Sequence, residues 1–248
     1  MKILICPDVH CRDFWKPILN VKNQPIIFLG DFLDPYKWEG FTNEHGIENL
    51  REIFQFAREN DNVTILVGNH DISHILDYYG CERTPYKYYE QTHKLYKDNL
   101  DLLKPCLLIE DTLFTHAGVS DGWIQEINQL TGKELNAENI VSYIEEEWNK
   151  ELAIPDSERR GFWGLILESP IFNIGHCRGG SDHNGGPFWN DYRYEYNKPD
   201  WNLFQVVGHC QQEITGSLGG DNGLICCDSR AIFEYDTETK KIIEKNIL

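Results

Sequence analysis

The sequence lacks three features, and each absence argues against a class of protein. No run of about 18 apolar residues occurs, so we expect no transmembrane helix. No two cysteines have C-x-x-C spacing, which disfavours a structural zinc site of the ribbon or finger type. Basic residues are scarce, with 23 Lys and Arg against 40 Asp and Glu, a net charge of −17. Because nucleic-acid backbones are bound by Lys and Arg that displace counterions, this balance disfavours a nucleic-acid partner.

The N-terminus and the cysteines indicate a cytoplasmic protein. The apolar stretch in MKILICPDVH is too short, and becomes polar too quickly, for a signal peptide. Cys6, Cys106, Cys226 and Cys227 lie in or beside apolar runs, where a free Cys behaves as a small buried hydrophobe. We therefore expect thiols that stay reduced in a reducing compartment.

Short apolar runs and one amphipathic segment open the chain. Residues 2–6, 26–30 and 63–68 are rich in Ile, Leu and Val, as is typical of strands covered on both faces. Between the second and third runs, residues 43–60 place their apolar side chains on one helical face. The order strand, strand, helix, strand predicts an α/β fold.

The second half of the chain mixes helices, an irregular stretch and further strands. Ser120 suits the N-cap of a helix that Gly132 would close. A stretch rich in Gly, Asn and Pro follows, centred on GHCRGGSDHNGGPFWNDY, and strands then return. Since no repeat or linker divides the chain, we expect a single domain over residues 1–248 with an irregular insertion at about 126–200.

Nearly every strand predicted to be buried ends in a side chain that could bind a metal ion. Ligands of open α/β sheets bind at the carboxyl ends of the strands, so these side chains are expected to meet. Any one of them alone would be ordinary turn or core chemistry. Together, from five strands, they predict a metal site formed by Asp8, His10, Asp31, Asn69, His116 and His209.

The motifs that contain these residues resemble those of a known family. D-x-H, GD-x-x-D, GNH-[DE], H-[AG]-G and a final GH, in this order, are similar to the calcineurin-like metallophosphoesterases. GNHDISHILDYYG and the stretch that leads to THAGVSDGW resemble the phosphoprotein phosphatase branch. The resemblance covers about residues 1–125 and 203–236. It implies a four-layer α/β/β/α sandwich of two mixed sheets, with residues 126–200 on the substrate side.

The resemblance also implies two metal ions that share one carboxylate. The first would be held by Asp8, His10 and Asp31, and the second by Asp31, Asn69, His116 and His209. This mixture of ligands suits Mn, Fe, Zn or Ni and does not choose among them. Many family members end in GH-x-H, whereas Gln211 stands at the second His here. The phosphoprotein phosphatases lack that second His too, so the departure favours their branch.

The predicted function is metal-dependent hydrolysis of phosphomonoesters by attack of a metal-bridging hydroxide. His70 follows a ligand without being one, so it could protonate the leaving group as a general acid. The resemblance implies that Asp34 orients it, and a structural role for His70 is the alternative. Phosphorylated proteins with phosphoserine or phosphothreonine are one substrate class.

Three other functions stay open for the chain. The runner-up is hydrolysis of nucleotide phosphoanhydrides, such as dinucleoside polyphosphates. A non-catalytic metal-binding scaffold is a second alternative, although both His70 and the ligand set are present. A nuclease is the third, and the acidic balance disfavours it.

The residue that would bind the substrate phosphate is less clear from the sequence. The phosphatase branch has an Arg directly after its second motif, where this chain has Pro35. The resemblance makes Arg178 the first substitute, because the family places a second Arg in this part of the chain, and Arg12, directly after the first motif, is the second. The guanidinium fork of either would match phosphate. A solvated surface arginine is the alternative for either. His176 and His183 flank Arg178 and suggest either a third metal site or a flexible, Gly-rich substrate loop.

Overall fold

The computed structural model describes residues 1–76, 83–159, 169–220 and 222–247. Its strands are β1 Lys2–Cys6, β2 Ile26–Phe28, β3 Val63–Leu66, β4 Leu103–Lys104, β5 Leu107–Ile109, β6 Thr112–Phe114, β7 Phe204–Val207, β8 Leu224–Cys226, β9 Phe233–Asp236 and β10 Lys241–Glu244. Its α-helices are α1 Asn43–Glu59, α2 Asn69–Ile75, α3 Tyr89–Lys97, α4 Asp121–Thr131, α5 Ile140–Ala153 and α6 Asp156–Arg159. None of the helices in these ranges is long and apolar enough to cross a membrane.

The strands form two mixed sheets. The first has the order β10-β9-β1-β2-β3-β4, in which β1 to β4 are parallel and β9 pairs antiparallel with both β1 and β10. The second has the order β5-β6-β7-β8, with β6, β7 and β8 parallel and β5 antiparallel. The predicted α/β class with two mixed sheets is confirmed.

Alternation along β1 explains how the first sheet is covered on both faces. Ile3 and Ile5 belong to the buried cluster that contains Phe114 of the second sheet, so this face lies between the sheets. Leu4 belongs to a different cluster, together with Leu50 of α1. Because successive side chains of a strand point to opposite faces, a run of consecutive apolar residues satisfies both layers at once.

Helices cover the outer face of the second sheet and complete four layers. Leu113 of β6 shares a buried cluster with Trp123 of α4 and Ile144 of α5. The helix α4 begins and ends where the sequence predicts. The Trp123 backbone N–H donates to Ser120 Oγ over 3.2 Å, and Gly132 ends the helix with a left-handed φ of 68°.

Parallel strands bring the predicted ligands to one edge of the sandwich. In the first sheet β1, β2 and β3 end side by side, and in the second β6 and β7 do the same. The five loops that leave these strands carry all six predicted metal ligands. The fold therefore positions the site through the direction of its strands.

Candidate functional site

Tight backbone turns hold the loops that carry the ligands. His10, Asp31 and His209 have left-handed φ values of 42°, 56° and 66°, a conformation that side-chain-bearing residues adopt only when their surroundings enforce it. Two glycines let the loops after β2 and β3 touch. A Cβ at Gly30 would collide with the backbone nitrogen of Gly68, and one at Gly68 would collide with the Asp31 carboxylate.

Asp31 lies at the centre of two groups of side chains. His10 Nε2 and His116 Nε2 each lie 3.5 Å from the same oxygen, Asp31 Oδ2. Asp8, Asp31 and His116 form one group whose ligand atoms lie within 4.8 Å of one another, and His10, Asp31 and His70 form another. A carboxylate common to both groups is the arrangement that a bridging ligand requires.

The remaining ligands converge beside His116. Its Nε2 atom lies 2.8 Å from Asn69 Oδ1, and His209 Nδ1 lies 2.9 Å from the same amide oxygen. The two imidazole nitrogens are 3.2 Å apart. The backbone N–H of His209 donates to the Asp8 carboxylate over 3.0 Å, which joins the loops after β1 and β7. The structure thus brings all six predicted ligands together.

The hydrogen bonds of the imidazoles show that this donor set fits a cation. His10 Nδ1 lies 2.9 Å from the Leu33 carbonyl and His116 Nδ1 lies 2.8 Å from the Leu29 carbonyl, so both Nδ1 atoms must be donors. The lone pairs at Nε2 then point toward the carboxylate oxygen of Asp31. Acceptors that face acceptors repel unless a cation lies between them, and metal-binding imidazoles often donate to carbonyls in this way.

Burial keeps the imidazoles of His10 and His209 in the neutral form that binds metals. Burial lowers the pKa of His10 to about 3 and holds the pKa of His209 well below its ordinary value. It would also raise the pKa of Asp31, but neighbouring imidazoles, led by His116, lower that pKa below its usual range. Neutral imidazole beside an ionised carboxylate is the protonation state that metal binding requires.

His70 and Asp34 form a hydrogen-bonded pair at the edge of the cluster. His70 Nδ1 lies 2.7 Å from Asp34 Oδ2, while Thr84 donates its backbone N–H to the other oxygen over 2.7 Å. Burial alone would raise the pKa of Asp34, but the hydrogen bond and charge of His70 together hold that pKa well below its ordinary value. The ionised Asp34 therefore fixes the ring of His70 through Nδ1.

Asp71 is a buried residue whose importance the sequence analysis missed. Its carboxylate accepts the backbone N–H groups of Gly68 and Asp31 over 2.8 Å each, and that of Phe32 over 3.1 Å. The hydroxyl of Tyr96 on α3 donates to the same carboxylate over 2.5 Å. Asp71 therefore joins the loop after β2 to the start of α2. The last letter of GNHD was the signal that could have identified it.

Replacing Tyr96 with Phe is expected to destabilise the fold by about 1–3 kcal/mol, since a buried carboxylate loses one of its donors. Tyr143→Phe is the matched control. Its buried hydroxyl has no hydrogen-bond partner within the described part of the chain, so we expect a change within about 0.5 kcal/mol. Urea unfolding in the presence of a chelator measures both. Equal losses in the two variants would contradict this role of Asp71.

The two arginines predicted to bind phosphate are paired with carboxylates. The guanidinium of Arg12 donates twice to Glu39, over 2.8 and 3.0 Å, and is buried. Arg178 Nε lies 2.9 Å from Asp191 Oδ2, and Arg178 Nη2 lies 3.0 Å from Cys210 Sγ. The structure places Arg178 beside the His209 loop, and Arg12, paired with Glu39, donates to the Asp8 backbone carbonyl over 3.3 Å.

His176 and His183 lie close to each other without completing a metal cluster. Their ring centroids are 6.4 Å apart, and Nδ1 of His176 lies 3.2 Å from the Gly180 carbonyl. Within the described residues, neither histidine belongs to a group of three potential metal ligands. The geometry favours the loop interpretation of this stretch over a third metal site.

Comparisons with known proteins agree with this geometry. The family model described as calcineurin-like phosphoesterase matches residues 1–210, a range that contains every predicted ligand. Among solved structures, the chain is similar to the cold-active protein-tyrosine phosphatase of a psychrophilic Shewanella species. The TM-score is 0.58 at 19% identity, and the alignment covers 95% of this chain and 75% of that chain. At 19% identity, this similarity is evidence for a shared fold alone.

Proposed function

The chain belongs to the calcineurin-like phosphoesterase family, and from that premise we propose that it is a binuclear metal-dependent phosphomonoesterase. The family supports metal-dependent hydrolysis of phosphoesters. The observation that carries the finer proposal is Asp31, which is common to both groups of potential ligands. A carboxylate in this position would serve as a ligand to both cations of a two-metal hydrolase.

The proposed ligand roles are those that the family resemblance implies, with Asp31 shared as it is between the two groups; the groups themselves place Asp8 with His116, and His70 with His10. One cation would be held by Asp8, His10 and Asp31, and the other by Asp31, Asn69, His116 and His209. Bound Mn, Fe, Zn or Ni would lower the pKa of water and polarise the phosphoryl oxygens. The protein keeps each ligand in place by its own hydrogen bonds, such as that from His10 Nδ1 to the Leu33 carbonyl.

His70 would act as the proton donor in this proposal. Its side chain is 11% exposed and that of Asp34 is fully buried, so the ring meets solvent and substrate while its partner does not. Because Nδ1 is bonded to Asp34, a proton on Nε2 is directed to the leaving oxygen. Asp34 acts as a positioning residue that fixes this orientation.

Phosphoserine and phosphothreonine in proteins are the first proposed substrate class. One observation favours the second candidate, nucleotide phosphoanhydrides. The centroid of the Tyr36 ring lies 5.1 Å from that of His10 and 4.7 Å from that of Trp38. Trp38 is 77% exposed. An open aromatic face beside a phosphate site could stack a nucleobase, because every base has a π-face.

A metal analysis and a substrate panel test the proposal together. Protein purified without chelator is analysed for bound metals and then assayed, with Mn added, on four substrates. These are peptides with phosphoserine, phosphothreonine or phosphotyrosine, and a dinucleoside polyphosphate. We expect metal-dependent phosphate release from the phosphopeptides. Faster cleavage of the dinucleoside polyphosphate would favour the second candidate, and bound metal without any turnover would favour the scaffold.

A cytoplasmic location stays a prediction.

A further inference from the structure

We propose that Arg83 binds the phosphoryl oxygens of the substrate, a role that the sequence analysis gave to Arg178 or Arg12. The proposal rests on the proposed phosphoesterase activity. The guanidinium of Arg83, which the sequence analysis did not single out, lies beside the proposed proton donor, with Nη1 3.5 Å from His70 Nε2.

The position of Arg83 relative to His70 places it at the reacting group. Asp34 occupies Nδ1 of His70, so Nε2 is the atom that meets the leaving oxygen. A leaving oxygen that is hydrogen-bonded to Nε2 lies within about 3 Å of that nitrogen. The phosphorus bound to that oxygen is one covalent bond farther away. The Nη1 atom of Arg83, 3.5 Å from Nε2, therefore lies close enough to His70 to donate to a phosphoryl oxygen of the same group.

The rest of the guanidinium is anchored by groups that carry no charge. Arg83 Nε and Nη2 donate to the Asp34 carbonyl over 3.0 and 2.6 Å, and the group lies 4.0 Å above the centre of the Tyr36 ring. Arg83 Nη2 also approaches His10 Nδ1 at 3.1 Å. That nitrogen already donates to the Leu33 carbonyl, so this contact sets donor against donor. The Asp34 carbonyl and the Tyr36 ring hold Arg83 in place in spite of this repulsion, and neither group neutralises its charge.

Charge distinguishes Arg83 from the two arginines predicted earlier. Arg12 pairs with Glu39, and Arg178 pairs with Asp191, a carboxylate that it shares with Arg193. In the described ranges of the chain, no carboxylate forms an ion pair with Arg83. A fixed guanidinium without a counter-charge, at the mouth of a cluster of metal-binding side chains, suits a phosphate, which accepts charge-assisted hydrogen bonds from the guanidinium fork.

The segment that carries Arg83 is hydrogen-bonded to Asp34, the residue that also holds His70. The neighbouring Thr84 donates both its backbone N–H and its hydroxyl to Asp34 Oδ1, over 2.7 and 2.5 Å. Asp34 therefore fixes His70 through one oxygen and the Arg83 segment through the other. The acid and the proposed phosphate ligand are positioned by one buried carboxylate.

The test compares Arg83→Ala with Arg83→Lys in metal-loaded protein. We expect Arg83→Ala to lower kcat/KM by roughly 10- to 100-fold and to weaken binding of inorganic phosphate, measured by calorimetry, by a similar factor. Arg83→Lys keeps the charge without the fork, so it should recover part of both losses. Metal content should not change, because the guanidinium is not a ligand.

Two further variants make the comparison specific. Arg51→Ala removes an exposed arginine of α1 that pairs with Glu48, and it should leave all of these quantities at the wild-type level. Arg178→Ala should weaken phosphate binding less than Arg83→Ala does. The Lys variant and the melting temperature of each protein show whether a loss reflects unfolding.

Several results would overturn the proposal for Arg83. These are phosphate affinity and kcat/KM within about twofold of wild type in Arg83→Ala, a loss of bound metal in that variant, or a larger effect of Arg178→Ala. Failure of the proposed function gives a different result. Wild-type protein would then release no phosphate from any substrate, while phosphate binding would still depend on Arg83.

Discussion

Asp31→Asn is expected to lose bound metal and, with it, roughly 10³-fold or more in kcat/KM. The substitution keeps the shape of the side chain and removes the charge that both ligand groups share. The backbone N–H of Asp31 would still donate to Asp71, so the loop keeps its anchor. Elemental analysis of protein purified without chelator measures the metal directly, independently of any substrate.

The metal count separates a shared ligand from an ordinary one. Wild-type protein should bind about two metal ions per chain, and Asp31→Asn should fall below one, because each cation loses a ligand. Asp13→Asn is the matched control. This carboxylate also lies after β1, but it is about half exposed and pairs with Lys16, so metal content and activity should not change. Full metal content in Asp31→Asn would show that Asp31 is not the bridge.

The convergence of the six proposed metal ligands could be predicted from the sequence because each lies close to the end of a strand. The parallel direction of β1, β2 and β3 then brings their ends to the same edge, whatever the details of the loops. Asp8 and His10 share one loop, and the remaining contacts follow from the order of the strands. The motifs can be read directly from the sequence, and the direction of the strands follows from the α/β order of its elements.

The positions of the arginines could not be predicted in the same way, because each depends on a contact between distant residues. Arg83 reaches the site through the Asp34 carbonyl, 49 positions away in the sequence. The partner of Arg12 is Glu39, 27 positions away. A sequence shows that an arginine is present, but it does not show which carboxylate neutralises it. The proposal of Arg83 as a phosphate ligand therefore needed the structure, while Arg178 and Arg12 stay predictions from the sequence.

His70→Asn is expected to lower kcat on an alkyl phosphomonoester by roughly 10²- to 10⁴-fold, the range that a positioned general acid supplies. The effect on an activated aryl phosphate should be much smaller, since its leaving group departs with little need for a proton. His45→Asn is the matched control, because His45 lies half-buried in the first turn of α1, away from the cluster, and pairs with Asp13. Metal content should stay at the wild-type level in both variants.

The ratio of the two rates distinguishes proton donation from the other roles that His70 could have. If the ring only supported the fold or helped to bind phosphate, both substrates would slow by the same factor, because neither role depends on the leaving group. Asp34→Asn should show the same selectivity with a smaller loss, since it removes the charge that orients His70 and keeps the acid itself. Unchanged turnover of both substrates in His70→Asn would show that another group donates the proton.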